Sequence, residues 1–420
     1  MQPAVAASSQ AEQITRVIFE YAAKISREQD LSNLIRLNAD LARDLVGAAR
    51  CSLWLIDESS GELVTRVADG MEEIRIPAGT GVVGSCVAMN KAVLVNDAAS
   101  DKRFFRNVDD NSGFVTESIL TVPLSADGKV IGALQLLNKP GGFAENDADL
   151  MTFSASYSAS AIHAERLRQQ AEMARLLTHE LNLARDVQRS LFPRDLRQVA
   201  GIEYSGFCRQ AKSVGGDYYD FQTLPGDLFS MSLGDVSGKG LPAAVLMASI
   251  QTLLRSLLSR DPLPVAEVMN ELNKSVFYCA AAERYSTLFC GVLDAARRKL
   301  TYVNAGHVHP ILVRAAAGGK IERPSDGGLP IGVLPVVRYT DATVDVEPGD
   351  LIVCISDGVS EATNPGDEMW GERAAAAVVA EYRDGSVEKV VGSLVRAADE
   401  FAAGAKQFDD MTVIAVRIQS

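Results

Sequence analysis

The sequence lacks several features that mark particular classes of protein. No C-x-x-C pair occurs among its scattered cysteines, which are Cys51, Cys86, Cys208, Cys279, Cys290 and Cys354. Neither a zinc site nor a disulfide framework is therefore indicated. No apolar run reaches about 18–20 residues without a charge or a helix breaker, and the N-terminus does not combine a basic region with an apolar one. These absences predict a soluble protein of a reducing cytoplasm, with no signal peptide and no membrane as partner.

Positive charge is also scarce. The 420 residues contain 41 Lys and Arg against 54 Asp and Glu, which gives a net charge of −13. A nucleic acid attracts basic surfaces, so this balance argues against a nucleic-acid partner. An acidic protein can still bind divalent metal through clustered carboxylates. The length is sufficient for two globular domains and a connector.

The N-terminal third has the pattern of an α+β domain. Residues 1–10 are small and polar, and the stretch from about Ala11 to Ala49 is predicted to be helical because its apolar residues recur every three or four positions. From Cys51 the pattern changes: CSLWLID and LVTRVA flank the turn ESSGE, and SILTVPL and VIGALQLLN flank the turn ADGK. These segments predict two hairpins of an antiparallel sheet.

A long helix is predicted next, because residues from about Leu150 to Leu191 contain no glycine and the first proline comes at Pro193. Two heptad positions of this helix carry small or apolar residues: Leu167, Ala174 and Leu181 at one, Leu177, Ala184 and Leu191 at the other. Gln170 and Gln188 interrupt them. This pattern favours a weak parallel coiled coil between two copies of the chain. The alternative is a single amphipathic helix on the surface of a domain.

A second α+β domain is predicted from about Gly201, where short apolar strands alternate with helical runs such as LPAAVLMASIQTLLRSLLS. Acidic residues lie at the strand ends of this domain: Asp217, Asp235, Asp357, and Asp409 with Asp410. Carboxylates that meet at one sheet edge repel one another and require cations between them. Oxygen ligands without His or Cys favour magnesium or manganese. Each aspartate taken alone is more typical of an ordinary turn than of a metal ligand.

The order of these motifs resembles the PPM family of metal-dependent phosphatases. The motifs are GGD, GDVSGKG, NAGH, SDGVSEA and DDMT, and the similarity covers about residues 185–418, starting with ARDVQRSLFP. Within the family, the chain is similar to the bacterial branch of sporulation and stress sigma-factor regulators. The resemblance implies a sandwich of two antiparallel sheets flanked by helices on both sides.

The resemblance also implies a site for two Mn²⁺ or Mg²⁺ ions. Asp235 would bridge both ions. Asp217 and the backbone carbonyl of Val236 would hold one ion. Asp357 and Asp409 would hold the other, while Asp410 would support the ligands from outside.

The activity that this resemblance implies is hydrolysis of phosphoserine or phosphothreonine in a protein, such as an anti-sigma-factor antagonist of a bacterial signalling pathway. A paired-metal site activates water directly, so no covalent nucleophile is required. The phosphate-binding arginine of eukaryotic members has no counterpart in this branch. His307 is either a proton donor or a buried structural histidine. A small-molecule phosphatase and a catalytically inactive scaffold remain the alternatives.

The N-terminal domain resembles a GAF domain over about residues 29–163. The similarity lies in GTGVVGSCVAMNKAVLVNDAASDKRFF, SILTVPL and GKVIGALQLLNK. Members that bind cyclic nucleotides carry a signature that Asn138, Lys139, Phe143 and Asp147 match, whereas Ala148 replaces its glutamate. The resemblance implies these four residues as ligand-binding candidates, with the ligand unknown and a cyclic nucleotide among the options. The alternative is a structural turn that holds the following helix.

Together these interpretations divide the chain into four parts. They are an N-terminal tail and helix (1–28), a GAF sensor domain (29–163), a helical coiled-coil linker (164–195) and a PPM phosphatase domain (196–420). We expect a cytoplasmic homodimer that associates through the linker and the GAF helices, in which the sensor sets phosphatase output through the linker.

Overall fold

The computed structural model describes residues 15–68, 73–104, 114–193, 198–260, 264–279, 284–316 and 318–419. The chain divides into two compact units, Met1–Leu176 and Leu177–Ser420.

The N-terminal unit is built on an antiparallel sheet with the strand order β3-β2-β1-β6-β5-β4. Its strands are β1 (Arg50–Ile56), β2 (Leu63–Ala68), β3 (Arg75–Ile76), β4 (Val93–Val95), β5 (Ile119–Ala126) and β6 (Lys129–Leu137). Its helices are α1 (residues 15–25), α2 (Leu31–Val46), α3 (Gly81–Met89) and the first part of α4 (Glu145–Arg189).

Both predicted hairpins are present. Strand β1 pairs with β2, and β5 pairs with β6. The second turn contains Asp127 and Gly128 at φ values of 50° and 77°. Backbone with positive φ suits Gly and tolerates Asp, which is why the ADGK tetrapeptide closes a tight hairpin.

The stretch from Ala11 to Ala49, predicted to be helical, contains a break: two helices, α1 and α2, occupy its described part. Asp30 caps the second helix, because its carboxylate accepts a hydrogen bond from the Asn33 amide at 2.8 Å. An N-cap aspartate satisfies a free amide of the first turn and so favours a new helix start. Residues 11–14 lie outside the described residues.

Helix α4 confirms the predicted long helix. Its 45 residues span roughly 68 Å at 1.5 Å per residue. Near its N-terminus, Met151, Ala155, Ala159 and Ile162 are fully buried in the core of the N-terminal unit. Their spacing of three and four residues places them on one face of the helix.

The C-terminal unit contains two mainly antiparallel sheets and several helices. Its strands are β7 (Ile202–Arg209), β8 (Tyr218–Leu224), β9 (Leu228–Val236), β10 (Ser286–Asp294), β11 (Lys299–Ala305), β12 (Ile311–Arg314), β13 (Lys320–Glu322), β14 (Gly327–Gly328), β15 (Ala342–Asp345), β16 (Leu351–Ile355) and β17 (Met411–Ile418). Its helices are α5 (Leu241–Leu258), α6 (Val265–Cys279), α7 (Asp357–Ser360), α8 (Glu372–Tyr382) and α9 (Val387–Ala402).

The two sheets form a sandwich with helices on both outer faces, as predicted. One sheet has the order β14-β11-β10-β9-β8, with β15 also on β11, and the other has the order β13-β12-β16-β17-β7. Alternate residues of β17 face different layers: Ile414 and Val416 join the core between the sheets, while Val413 and Ala415 join the core beneath α8 and α9. Burial on both faces explains why this strand is almost entirely apolar.

One described helix, α5, is long and apolar enough to cross a membrane by length and composition alone. Its residues Ala243, Met247, Ile250 and Leu254 are at most 2% exposed and belong to the core between α5, α6 and the first sheet. Its apolar character is therefore accounted for by packing within the unit.

Candidate functional site

The predicted aspartates lie at strand ends of the two sheets. Asp217 directly precedes β8, and Asp235 is the next-to-last residue of β9. Asp357 begins α7, just after β16, and Asp409 lies two residues before β17. Strands of both sheets thus bring four acidic side chains to one edge of the sandwich.

The carboxylates influence one another strongly. Asp217 is 1% exposed, and burial, followed by the charges of Asp235 and Asp410, raises its pKa well above the ordinary value. Burial, followed by the charges of Asp357 and Asp409, raises the pKa of Asp235 to about 7. The pKa of Asp357 is also raised, by burial and then by Asp409. Such a group of acids is stabilised by cations placed among them.

Glycine leaves room for oxygen ligands beside Asp217. A Cβ on Gly216 would lie 2.7 Å from the Val236 carbonyl oxygen and 3.4 Å from Asp235 Oδ1. These two oxygens therefore face the same small space. Carboxylate and carbonyl oxygens are the donors that magnesium and manganese prefer, so the donor set fits the predicted metals in kind.

The side chains are not arranged as a closed ligand cage. Among the described residues, no three His, Cys, Asp or Glu side chains converge closely enough to hold one ion. Asp409 instead faces Lys239, whose Nζ lies 2.8 Å from Asp409 Oδ2 and donates to the Phe408 carbonyl at 2.6 Å.

Asp410 has a different task from its neighbour. Its carboxylate accepts hydrogen bonds from the amides of Ala211 and Gly216, each at 2.8 Å. A Cβ on Gly215 would lie only 1.9 Å from Asp410 Oδ2, so this approach requires glycine. Asp410 thereby holds the loop that leads into Asp217.

Two hydroxyl residues in the recognised motifs support the same loop and strand ends. Thr412 Oγ1 donates to Asp217 Oδ2 at 2.6 Å, and Ser356 Oγ donates to the Asp410 carbonyl at 3.1 Å. Both stand in the motifs DDMT and SDGVSEA, which the resemblance identified, yet the motifs do not reveal these contacts. They fix the orientation of Asp217 and Asp410.

Gln188, near the end of α4, is a further residue that the sequence pattern did not reveal. It is 4% exposed, its Nε2 donates to the Gly215 carbonyl at 2.7 Å, and its Oε1 accepts from the Gly215 amide at 3.1 Å. Arg185 donates to the Ser213 carbonyl at 2.8 Å. The last turns of α4 thus bind the loop that precedes Asp217.

His307 is buried at 4% exposure, and its Nδ1 lies 2.9 Å from Thr287 Oγ1. Burial lowers its pKa to about 4, so the ring is neutral at pH 7. A neutral ring hydrogen-bonded to the half-buried Thr287 is typical of the structural alternative.

The four GAF candidates form internal contacts. Asn138 Oδ1 accepts from the amides of Glu117 and Ser118, and its Nδ2 donates to the Val115 carbonyl. Lys139 Nζ lies 2.6 Å from Asp147 Oδ1, and Phe143 is 4% exposed. These contacts favour the structural turn before α4, while the ligand-binding role of the four residues stays a prediction.

Two family models match the chain. Residues 225–419 match the family described as stage II sporulation protein E, and residues 30–162 match the GAF domain. Both predicted resemblances, to a PPM phosphatase of the sporulation branch and to a GAF domain, are confirmed. The first range contains Asp235, Asp357 and Asp409, whereas Asp217 precedes it.

Individual proteins with similar sequence or structure include two curated relatives. The chain is 27% identical over 265 residues to protein IcfG of Synechocystis, covering 56% of this chain and 41% of IcfG. It is 29% identical over 182 residues to the phosphoserine phosphatase RsbU of Bacillus subtilis, covering 43% of this chain and 53% of RsbU. The chain thus spans about half the length of these relatives.

A solved structure supports the fold of the C-terminal unit. The SiaA-PP2C domain of Pseudomonas aeruginosa is 20% identical, with a TM-score of 0.52, and the match covers 59% of this chain and all of that domain.

The electrostatics of Asp235 lead to a prediction about stability. In EDTA, Asp235→Asn should stabilise the folded state relative to the unmodified chain, and the difference should grow as the pH rises from 5 to 8. Because the pKa of Asp235 is about 7 in the fold against an ordinary 3.8, the folded state retains a proton that the unfolded state has lost. Stability therefore decreases as this carboxyl ionises, whereas asparagine does not ionise.

Urea-unfolding midpoints at pH 5, 6, 7 and 8 measure this difference. Asp384→Asn, at a side chain that is 90% exposed, is the matched control and should leave the pH profile unchanged. A difference between Asp235→Asn and the unmodified chain that stays constant over this range would contradict the assigned electrostatics.

Proposed function

We propose that this chain, in which a GAF domain precedes a PPM phosphatase domain of the SpoIIE type, is a metal-dependent protein serine/threonine phosphatase controlled by its GAF domain. The observation that carries the proposal is the meeting of Asp217, Asp235, Asp357 and Asp409 at one edge of the sandwich, where burial and mutual charge raise the pKa values of the first three. A catalytically inactive scaffold has no need to bury these carboxylates.

The residues suit two Mn²⁺ or Mg²⁺ ions. Asp235 would bridge them, Asp217 and the Val236 carbonyl would hold one, and Asp357 and Asp409 the other. When bound, such ions lower the pKa of a shared water and neutralise charge on phosphoryl oxygens, which allows in-line attack on phosphorus. Two hydrogen bonds position these ligands. Thr412 donates to the Asp217 carboxylate, and the Asp410 carboxylate accepts from the Gly216 amide in the loop before Asp217.

Lys239 supplies a positive charge at this edge. Its ammonium group lies 2.8 Å from Asp409 Oδ2 and its side chain is 41% exposed. An exposed ammonium beside the carboxylates can donate to a phosphoryl oxygen. We assign the Lys239 ammonium as a contact to the substrate phosphate, in place of the phosphate-binding arginine of the eukaryotic PPM members.

The substrate class is a phosphoserine or phosphothreonine protein, such as an anti-sigma-factor antagonist of a bacterial pathway. Similarity to the phosphoserine phosphatase RsbU supports this class. A small-molecule phosphatase would use the same site. Phosphoproteomics of cells with and without the protein separates these alternatives, because only a protein phosphatase leaves particular phosphoserine or phosphothreonine sites enriched when it is removed.

We expect Asp235→Asn to remove most phosphatase activity. A neutral amide cannot balance two cations, and the loss of several kcal/mol of transition-state stabilisation corresponds to about 100-fold or more in kcat. The measurement is hydrolysis of an aryl phosphate and a phosphopeptide with Mn²⁺ or Mg²⁺, before and after chelation. Asp384→Asn serves again as the control, and near-normal turnover by Asp235→Asn would refute the two-metal assignment.

The middle of α4 supports the proposed homodimer. Leu167 is 51% exposed and Leu177 is 57% exposed, and Met173 and Leu176 are exposed as well. Leu191, the last predicted heptad residue, lies beyond the end of α4 and packs against the core of the C-terminal unit instead. Several large apolar residues exposed along one helix usually mark a surface that binds a partner. A second copy of the same helix would cover them.

The full chain should therefore sediment as a dimer at micromolar concentration. Leu167→Glu combined with Leu177→Glu should give a monomer, because charges at the seam repel and lose apolar burial. The control is His179→Glu with Asn182→Glu, at exposed positions outside the seam. A monomeric unmodified chain, or a dimer that survives the seam substitutions, would contradict the proposed stalk.

Helix α4 also supports control of the phosphatase by the GAF domain. Its N-terminal part is buried in the core of the N-terminal unit, and its last turns bind the Ser213 and Gly215 carbonyls before Asp217. A ligand alters output only by binding one arrangement of this helix better than another. A differential of about 1–3 kcal/mol would change activity about 5–150-fold. The ligand class remains open, and a cytoplasmic location agrees with this role.

Insertions near Arg175 test this control. Two inserted helical residues rotate the segments on either side by about 200°, whereas four rotate them by about 40°. We expect the two-residue insertion to change basal phosphatase activity more than the four-residue insertion, because Gln188 and Arg185 act through the orientation of α4. Equal activity in both insertions and the unmodified chain would show that the linker is only a tether.

A further inference from the structure

A cavity of about 640 Å³ lies in the C-terminal unit between the last turns of α4 and strand β7. Small-molecule sites commonly measure about 300–1,000 Å³. The cavity is bordered by Arg185, Arg189, Arg209 and Lys212. None of the described residues that line it is acidic, although the protein as a whole carries a net charge of −13.

Most of this positive charge is not neutralised. Within the described residues, Arg209 is the only one of these four cations with an acidic partner. Its guanidinium binds both carboxylate oxygens of Asp399 at 2.9 and 2.5 Å. Arg185 donates to a neutral carbonyl. Within the described part of the chain, Arg189 and Lys212 have neither a hydrogen bond nor an ion pair to their side chains, and both are exposed.

Helix stability accounts for only part of this arrangement. Positive charge near the C-terminus of α4 interacts favourably with the helix dipole, which favours Arg189. However, Arg185 and Arg189 are four residues apart, where like charges repel. Lys212 comes from the loop after β7 and gains nothing from the dipole, so three uncompensated cations around one cavity require another explanation.

Three of the remaining lining residues are aromatic, beside Cys208 and Gln210. Phe192, Phe207 and Tyr219 line the cavity, and the rings of Phe192 and Tyr219 lie 5.4 Å apart. Aromatic side chains next to unpaired arginines provide a surface for a planar ring together with donors for an anion. Arginine is especially suited to phosphate because its donors match two phosphate oxygens at once.

We propose that this cavity binds a small phosphorylated ligand that carries an aromatic ring, such as a mononucleotide. Its phosphate would be held by Arg185, Arg189 and Lys212, and its ring would lie against the aromatic wall. The site differs from the carboxylate centre and from the GAF domain, and the inference does not depend on the proposed phosphatase activity.

A ligand in this cavity would be connected by hydrogen bonds to the loop before Asp217. Gln210, which also lines the cavity, donates to Gln188 Oε1 at 2.5 Å, and Gln188 in turn binds Gly215. Lys212 lies within the same loop, next to Ala211, whose amide binds Asp410. A bound anion would therefore tie Arg185 and Arg189 of α4 to this loop and limit its movement.

Isothermal titration of the full chain in EDTA tests the proposal with AMP, adenosine and inorganic phosphate as probes. We expect saturable binding of AMP that is at least about tenfold tighter than binding of either fragment, because AMP engages both halves of the site. Arg189→Ala combined with Lys212→Ala should weaken AMP binding at least about tenfold. Lys212→Arg, which keeps the charge, should retain it.

The matched control is Lys274→Ala with Arg373→Ala, which removes two exposed cations outside the cavity and should leave AMP binding unchanged. Binding of AMP that persists in Arg189→Ala/Lys212→Ala would place the nucleotide elsewhere and overturn the proposal. Absence of AMP binding at millimolar concentration would also overturn it. Phosphate binding as tight as that of AMP would contradict the role of the aromatic wall.

Discussion

The mutual repulsion of carboxylates at one edge of the sandwich is the constraint on which the rest of the C-terminal unit depends. Asp217 is almost fully buried and shares this edge with Asp235 and Asp357, and each of them has a raised pKa. Such a centre holds its shape only if the backbone around it is rigid. Rigidity comes from Asp410, which binds the amides of Ala211 and Gly216, and from glycines that permit the close approach.

Much of the fold and the positions of the acids could be predicted from the sequence, because both depend on local patterns. Apolar runs around ESSGE and ADGK give the hairpins β1–β2 and β5–β6. Each acid lies at or beside one end of an apolar strand. The break between α1 and α2 was missed since three-to-four spacing continues on both sides of it, while the Asp30 cap decides where the second helix begins.

Contacts between distant segments could not be predicted in this way. Gln188 interrupts the heptad pattern, and local periodicity accordingly marks it as a weak position in a coiled coil. Its actual partners lie at Gly215, 27 residues further along the chain. The sequence also shows Asp409 and Asp410 as a pair, whereas the fold directs one towards Lys239 and the other towards loop amides. The different roles of Asp409 and Asp410 therefore become visible only in the folded structure, where each meets different partners.

Helix α4 is held differently along its length, and this difference decides where it can respond to a signal. Ala155 and Ala159 are completely buried in the N-terminal unit, so movement there would open a close-packed core. Between Leu167 and Leu183 most of the apolar side chains are exposed, and changes in their packing leave both cores intact. At its end, Gln188 holds Gly215 through two hydrogen bonds, beside the amide by which Asp410 fixes Gly216. Under the proposed control, a rotation accommodated in the exposed middle would therefore act on the loop carrying Asp217, because the last turns of the helix are hydrogen-bonded to that loop.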